Sequence, residues 1–358
     1  MEKKSRRRPR RDEDEVIDSF SQLSLSRVNG EVNKMKKVDM IKLLKKNSLN
    51  SNGVKEVLGR RLKNYYRKQR MKEESDTVQC YENFVVIDFE ATCESGRNLD
   101  YLHEIIEFPA MLLDAETGKI VDEFHSYCKP TLNPKLSEFC VSLTGISQSD
   151  VDAAPKFEEV FKRFENWMID KNLLMDRKSF AFVSDGPWDF SRFLNIQCCL
   201  SEIQYPKWAR KWINLKKIFG NFYKINKPKI EEMLSNLGLK LEGRLHSGLD
   251  DAKNLSRIVA KLVEDGCVLQ INERLNAGRL EPVLQTDLNK FKAKLEVTSA
   301  QSGENHICKT EVDSDLNKDF SNGKRQVNCE TEDCKVSIPN KPHGSTEDLS
   351  NKLDLCKI

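Results

Sequence analysis

The fold is indicated most clearly by one stretch of the sequence, NFVVIDFEA at residues 83–91. Its apolar run predicts a buried β-strand. Because successive strand side chains point to opposite faces, Asp88 and Glu90 are predicted to face the same way, with Phe89 in the opposite layer. Two ionised carboxylates side by side on an apolar strand repel each other and are costly to bury. Either both hold a hard cation such as Mg²⁺ or Mn²⁺, or they lie at a solvent-facing strand end.

The segments that follow predict a mixed sheet flanked by helices. Residues 105–115 and 118–128 are predicted as strands that precede the first helix, so the sheet is expected to begin antiparallel. Later strands alternate with helices, which adds parallel strands. Those strands are expected at 179–184 and 212–215, and the helices near 156–170, after Trp188, near 229–237 and near 250–264. The pattern favours an α/β domain with a ribonuclease-H-like mixed sheet over residues 82–278.

A third acidic residue follows the end of a predicted strand in SDGPWDFSRFL, residues 184–194. Gly186 and Pro187 end a strand, and a helix is expected to follow. Asp189 then lies at the start of that helix, at the edge of the sheet where open α/β folds bind ligands. Asp185 competes for the role, but Asp before Gly-Pro is ordinary turn chemistry. We therefore predict Asp189 as the ligand.

A further acidic residue lies in HSGLDDAKNLSRIVAKLVEDG, residues 246–266. At about 100° per residue, Asp251 falls on the apolar stripe of the predicted helix, whereas Asp250 falls on the solvent side. An acid on a buried stripe is explained by a cation shared with Asp88. Alone, His246 would be taken for a polar surface residue, but five residues before an inward Asp it is placed to act as a general base.

Residues 34–70 predict a much smaller helical module. Apolar residues at helical spacing lie on both sides of a turn that ends in Gly53. The second helix is strongly basic, which suits a phosphate backbone. The basic residues expected to bind RNA are Lys55, Arg61, Lys63 and Arg67.

The remaining segments are polar. Residues 1–33 combine a basic block at 3–11 with acidic and Ser-rich runs, residues 71–81 form a polar linker, and residues 279–358 are rich in Asn, Ser, Lys, Asp and Glu. We expect disorder in both tails. The basic block fits a nuclear-import signal, a phosphate-binding arm or a solvated tail. The Cys and His residues of the C-terminal tail do not match the usual spacing of zinc ligands: Cys329, Cys334, His343 and Cys356.

The composition argues against two classes of protein. No stretch approaches the roughly 18 consecutive apolar residues that span a membrane. The charged N-terminus has no apolar run after it, so we expect no secretory signal. The 11 cysteines are scattered and odd in number, which favours reduced thiols in a cytosolic or nuclear protein. The net charge of +3 is too small to indicate a partner by itself.

In order and spacing, the three acidic motifs resemble those of the DEDDh exonucleases. They are D-x-E at residues 88–90, WDFSRFL at 188–194 and H-x₄-D at 246–251. The helical module resembles the SAP motif, a helix–extended turn–helix that binds nucleic acid. With further motifs, the chain resembles the Eri-type 3′→5′ exoribonucleases over residues 34–278. These further motifs are FEATC (89–93), HEIIEFP (103–109), SLTGI (142–146) and KWIN (211–214).

The resemblance implies two magnesium ions, for which Mn²⁺ can substitute. Their expected ligands are Asp88, Glu90, Asp189 and Asp251. His246 is expected to take the proton from the attacking water, and Glu90 to orient that water as a second catalytic residue.

The terminal nucleotide is expected to contact Glu90, Ala91, Thr92, Trp188 and His246. Ala91 and the Thr92 hydroxyl are expected to hold the ribose, whose 2′-OH marks RNA. Trp188 is expected to stack on the terminal base, with core packing as the alternative.

The resemblance also implies substrates and partners. It implies release of nucleoside 5′-monophosphates from the histone-mRNA stem-loop, from short interfering RNA duplexes with 3′ overhangs and from the 3′ end of 5.8S ribosomal RNA. Expected partners are therefore RNA, the histone stem-loop-binding protein and the ribosome, in the cytoplasm, nucleus and nucleolus. Three alternatives remain: a DNA exonuclease of the same fold, a non-catalytic RNA-binding scaffold, and an interaction protein that uses its tails.

Overall fold

The computed structural model describes residues 24–71, 79–96, 101–174 and 179–275, together with Asn289. The elements named below all belong to one compact unit. Most of the predicted linker, and the predicted C-terminal tail apart from Asn289, lie outside the described residues. No helix within these ranges is both long and apolar enough to cross a membrane.

The helical module contains three helices among the described residues. They are α1 (Leu25–Lys34), α2 (Lys37–Lys46) and α3 (Lys55–Met71). Helices α2 and α3 confirm the pair predicted within residues 34–70. Both α1 and α2 pack on α3, and the apolar residues between the three helices form a small core of their own.

Helix α1 corrects the prediction of disorder over residues 1–33. Val28 and Val32 lie one helical turn apart and are 1% and 0% exposed. Their burial against α2 and α3 stabilises a segment whose polar composition alone suggests disorder. Residues 1–23 lie outside the described part of the chain.

One mixed sheet forms the centre of the second domain. Its strands within the described residues are β1 (Asn83–Ile87), β2 (Glu90–Ala91), β3 (Ile105–Asp114), β4 (Ile120–Tyr127), β5 (Phe180–Ser184), β6 (Lys211–Asn214) and β7 (Glu273–Arg274). The strand order is β2-β3-β1-β5-β6-β7, and β4 also pairs with β3. Strands β1 to β4 pair antiparallel, whereas β5 lies parallel to β1 and β6. This order confirms the predicted mixed sheet that begins antiparallel.

The first strand differs from the prediction in one respect. Residues 83–91 were expected to form one strand, but β1 ends at Ile87 and the chain pairs again only from Glu90, with a register shift between Glu90 and Ala91. The backbone N–H of Phe89 donates to a side chain, Oδ1 of Asp189, at 3.1 Å. Phe89 nevertheless packs in the same apolar layer as Val85 and Ile87, so the predicted alternation of faces continues to Phe89 although the strand pairing is interrupted.

Helices cover both faces of the sheet, as its two-sided burial requires. Phe84 and Val86 of β1 pack into one apolar layer, and Val85 and Ile87 pack into the other. The helices are α4 (Glu138–Thr144), α5 (Gln148–Ala153), α6 (Phe157–Asp170), a π-helix (Asp189–Leu194), α7 (Asn195–Leu200), a 3₁₀ turn (Lys207–Arg210), α8 (Leu215–Tyr223), α9 (Ile230–Leu237) and α10 (Gly248–Glu264). Helices α8, α9 and α10 line the layer that contains Phe84, and α6 lines the other.

Candidate active site

The predicted acids of the first motif lie at the break between β1 and β2. Asp88 directly follows the last residue of β1 and is 7% exposed, and Glu90 opens β2 and is half-buried. Phe89 lies between them, where its ring meets Phe108 edge-on at 4.6 Å between centroids. Packing of Phe89 into the core thus fixes the short segment that carries both carboxylates.

Asp189 is attached to the same segment. It is the first residue of the π-helix, is fully buried, and accepts the Phe89 N–H described above. Asp185 has a different environment, because its Oδ2 forms an ion pair with Lys216 Nζ at 2.8 Å. The structure therefore places Asp189 at the break between β1 and β2, while the Asp185 carboxylate is neutralised by a lysine.

Helix α10 brings the third motif to the same place. Asp251 is 2% exposed, and its Oδ2 accepts the backbone N–H of His246 at 2.8 Å. His246 has φ +61°, a left-handed conformation that is uncommon for a residue other than glycine. Asp251 thus holds the loop that presents His246. The Asp250 side chain instead accepts the backbone N–H of Arg244 at 2.9 Å.

Three of the predicted residues converge closely enough to share one ion. Ligand atoms of Glu90, His246 and Asp251 all lie within 4.8 Å of one another. Carboxylate oxygens are the ligands that Mg²⁺ and Mn²⁺ prefer, and two carboxylates this close repel each other unless a cation intervenes. The donor set therefore fits a divalent cation.

Two residues that were not predicted hold α10 against the sheet. A Cβ at Gly248 would lie 2.7 Å from the Asp88 carbonyl oxygen, so only glycine permits this approach. Glu107 of β3 is 2% exposed and accepts the N–H groups of Gly248 at 2.9 Å and Leu249 at 3.3 Å. It also bonds to His125 Nε2 at 2.8 Å. Glu107 stabilises the helix N-terminus, whose N–H groups have no partner within the helix.

Three of the residues expected to contact the nucleotide are buried. Thr92 is 1% exposed, and its hydroxyl accepts the Glu104 N–H at 3.0 Å. Ala91 is 8% exposed. Trp188 is also 8% exposed, with the Arg192 guanidinium 5.0 Å from its ring centroid. Its ring also meets that of Phe193 edge-on, with 6.2 Å between centroids.

A histidine outside the three motifs adjoins this group. His103 Nδ1 lies 2.7 Å from the Thr92 carbonyl oxygen, and its ring meets Tyr101 and Phe193 edge-on. Burial lowers the pKa of His103 to about 4, although its contact with Thr92 acts in the opposite direction. His103 is therefore neutral near pH 7, and its ring belongs to the aromatic packing beside the site.

The predicted RNA-binding residues divide into two groups. Lys55 and Arg67 are exposed and Lys63 is partly exposed, so all three remain available to a phosphate backbone. Arg61 is 5% exposed, and its guanidinium forms a bidentate salt bridge with the Asp265 carboxylate, with N–O distances of 2.6 and 2.8 Å. The prediction that Arg61 binds RNA is therefore wrong, because its donors are used inside the protein.

Comparison with known proteins assigns both domains. Residues 85–259 match the exonuclease family model, and residues 31–67 match the SAP domain. The chain is 48% identical to 3′-5′ exoribonuclease 1 of Rattus norvegicus over 72% of this chain and 76% of the relative. It is also 48% identical to the Homo sapiens protein of that name, over 71% of this chain and 74% of the relative.

Two solved structures extend the likeness to three dimensions. A 3′-exonuclease described in recognition of the histone mRNA stem-loop has a TM-score of 0.56 at 45% identity, covering 72% of this chain and 90% of that one. The nuclease domain of a DEDDh family member bound to rAMP has a TM-score of 0.53 at 48% identity, covering 55% and 98%. The chain therefore belongs to the Eri1 family of 3′→5′ exoribonucleases, RNA hydrolases in which a SAP domain precedes a DEDDh exonuclease domain that depends on divalent metal.

Proposed function

We propose that this exoribonuclease uses two Mg²⁺ ions, held by Asp88, Glu90, Asp189 and Asp251, and releases nucleoside 5′-monophosphates. The convergence of Glu90, His246 and Asp251 within 4.8 Å supports the proposal most directly. When bound, the two ions would clamp the scissile phosphate and acidify the attacking water.

The side chains around the ions have separate roles in this proposal. His246 takes a proton from the attacking water. The hydrogen bond from its backbone N–H to Asp251 fixes the position of the loop that carries it. Glu90, whose carboxylate lies within 4.8 Å of a ring nitrogen of His246, orients that water. Asp189 ties the segment between β1 and β2 to the π-helix through Phe89, so the acids keep their spacing when substrate arrives.

We further propose a stem-loop with a single-stranded 3′ end as the substrate class. The supporting observations are the exposed cations of α3 and the likeness to the 3′-exonuclease whose structure describes recognition of the histone mRNA stem-loop. In this arrangement the SAP helix binds the duplex while the 3′ tail enters the exonuclease domain. Short interfering RNA duplexes and the 3′ end of 5.8S ribosomal RNA offer the same combination of stem and 3′ end.

The cellular setting is part of the same proposal. Histone mRNA decay, negative regulation of RNA interference and ribosomal RNA processing would place the protein in the cytoplasm, nucleus and nucleolus. Its partners there would be the stem-loop-binding protein and the ribosome.

End-labelled RNA tests the direction of hydrolysis and the need for metal. With Mg²⁺, RNA labelled at its 3′ end should release labelled mononucleotide at once, and RNA labelled at its 5′ end should shorten stepwise. Glu90→Ala should abolish both results, whereas Glu116→Ala, at an exposed turn, should leave both unchanged. Cleavage that persists with a chelator, or full activity of Glu90→Ala, would contradict the two-ion proposal.

DNA is the alternative substrate, because the SAP motif also occurs in DNA-binding proteins. Matched RNA and DNA hairpins with identical 3′ tails separate the two possibilities. Faster hydrolysis of the DNA hairpin would overturn the proposed substrate class while leaving the site intact.

A further inference from the structure

The SAP module and the exonuclease domain are joined by a buried ion pair. Both oxygens of Asp265 accept from Arg61, Oδ1 from Nε at 2.6 Å and Oδ2 from Nη2 at 2.8 Å. Arg61 is 5% exposed and Asp265 is 2% exposed. Asp265 directly follows the last residue of α10, the same helix that carries Asp251 near its N-terminus. The pair thus connects the RNA-binding helix α3 to an element of the catalytic site.

The remaining polar atoms around the pair are also occupied. Arg61 Nη1 donates to the carbonyl oxygens of Asn50 at 2.5 Å and Asn52 at 3.1 Å. The Tyr223 hydroxyl donates to Asp265 Oδ2 at 2.8 Å. Burial alone would lower the pKa of Arg61, but the hydrogen bond and charge of Asp265 raise it above its usual value. Such a fully bonded buried pair has one favoured geometry, since displacing either partner leaves an unpaired buried charge.

Backbone contacts between the two domains are equally close. The Val54 N–H donates to the Asn236 carbonyl oxygen at 2.8 Å. A Cβ at Gly53 would lie 2.8 Å from that same oxygen. Val57 of α3 is fully buried within the apolar layer formed by α8, α9 and α10. These contacts leave no space for the module to shift without breaking bonds.

We propose that Arg61 and Asp265 are a positioning pair, which fixes the exposed cations of α3 at one place relative to the active site. When the stem is bound, the attached 3′ end is therefore held close to the active site. This raises the effective concentration of the 3′ end at the active site. Free single strands do not depend on this delivery. The inference rests on the proposed stem-loop function and adds that stem preference depends on residues that do not touch RNA.

The test compares the hydrolysis of a hairpin carrying a 3′ tail with that of the free tail sequence. Arg61→Ala and Asp265→Ala should each reduce the ratio of kcat/KM for hairpin over free tail at least 10-fold. The double variant should be no worse than either single one, because the two residues act as one unit. Hydrogen exchange should accelerate in α3 and stay unchanged in the β-sheet.

Two further variants distinguish positioning from RNA contact. If Arg61 bound phosphate, Arg61→Ala would reduce the salt dependence of hairpin binding by about one ion, and Asp265→Ala would preserve or improve binding. That pattern would overturn the inference, as would equal losses on both substrates. Tyr223→Phe removes a single hydrogen bond and should give a smaller loss in the same direction, which keeps the test valid if the alanine variants misfold. No preference for the hairpin in the wild type would instead contradict the proposed function.

Discussion

Gly248, the first residue of α10, lies so close to the end of β1 that a Cβ there would come within 2.7 Å of the Asp88 carbonyl oxygen. The contact sets how near the helix that carries Asp251 can come to the strand that carries Asp88. The same glycine donates its N–H to Glu107 at 2.9 Å. Spacing of the proposed metal ligands therefore depends on the missing side chain of one residue.

Gly248→Ala should reduce kcat by about 100-fold, because a displacement of about 1 Å in catalytic geometry can cost that much. The rate of hydrolysis of a short single-stranded RNA measures the effect. Gly220→Ala, in α8, is the matched control, since its Cβ would meet the carbonyl oxygen of Ile225, just beyond the end of that helix, at 2.8 Å. That variant should lose stability while its folded fraction keeps the wild-type kcat. Equal kcat losses in both variants would contradict the role given to Gly248.

His246→Asn should reduce kcat by about 10² to 10⁴ if His246 is the general base. Asn is chosen because it tolerates the left-handed conformation at φ +61° and keeps the N–H that Asp251 accepts. Affinity for uncleaved RNA, measured by fluorescence anisotropy with Ca²⁺ in place of Mg²⁺, should change little. A parallel loss of affinity would mean that His246 binds substrate rather than moving a proton.

Asp251→Asn should abolish the stabilisation of the protein by Mg²⁺. For the wild type, a metal concentration of 100 times Kd should raise the free energy of unfolding by about 2.7 kcal/mol. Asn can still accept the His246 N–H, so the variant removes the charge and keeps the loop bond. Thermal unfolding with and without Mg²⁺ gives the comparison, with Asp170→Asn, at an exposed position, as control. A full Mg²⁺ shift in Asp251→Asn would exclude it as a ligand.

His103 should make the protein less stable in acid. Its pKa is about 4 in the folded state, against 6.5 for the free side chain, so the unfolded chain binds the extra proton between those pH values. Stability should therefore fall as pH drops from about 6.5 to 4, by at most about 3.5 kcal/mol, since one pKa unit is about 1.4 kcal/mol. Urea unfolding of His103→Asn should show a shallower fall than the wild type over this range. If the wild type and His103→Asn lost the same stability over this pH range, His103 would not be the source of the loss in acid.

The double substitution Lys63→Ala and Arg67→Ala should weaken hairpin binding and reduce its salt dependence. Each lost phosphate contact lowers the slope of log K against log salt by about 0.9. Lys162→Ala, on the exposed side of α6, is the control and should leave both quantities unchanged. If the double variant bound hairpins with the wild-type slope, the basic face of α3 would not be the duplex-binding surface.

Local patterns were sufficient to predict much of this protein. Helical phase predicted a buried position for Asp251, which is 2% exposed, and turn chemistry separated Asp189 from Asp185, whose carboxylate is paired with Lys216. Strand–helix alternation predicted the mixed sheet. These inferences succeed because the period of a strand or helix determines which side chains share a face, whatever lies opposite.

Partners distant in the sequence could not be predicted in this way. The sequence predicts an RNA contact at Arg61 because a basic helix looks the same in sequence whether its cations face solvent or a buried carboxylate. Its partner Asp265 lies 204 positions away. Glu107 had one signal, an acid within the apolar strand β3, but its partner Gly248 lies 141 positions away.

The sequence by itself therefore determined which residues are proposed to carry the chemistry and in what order: two acids at a strand end, one at a helix start, and a histidine ahead of a buried acid. Tertiary structure alone decided how they are held together, through Gly248 against Asp88 and through the burial of Arg61 against Asp265. The physical reason is that periodicity is a local property of the backbone. Close packing and charge burial depend on residues that only folding brings into contact.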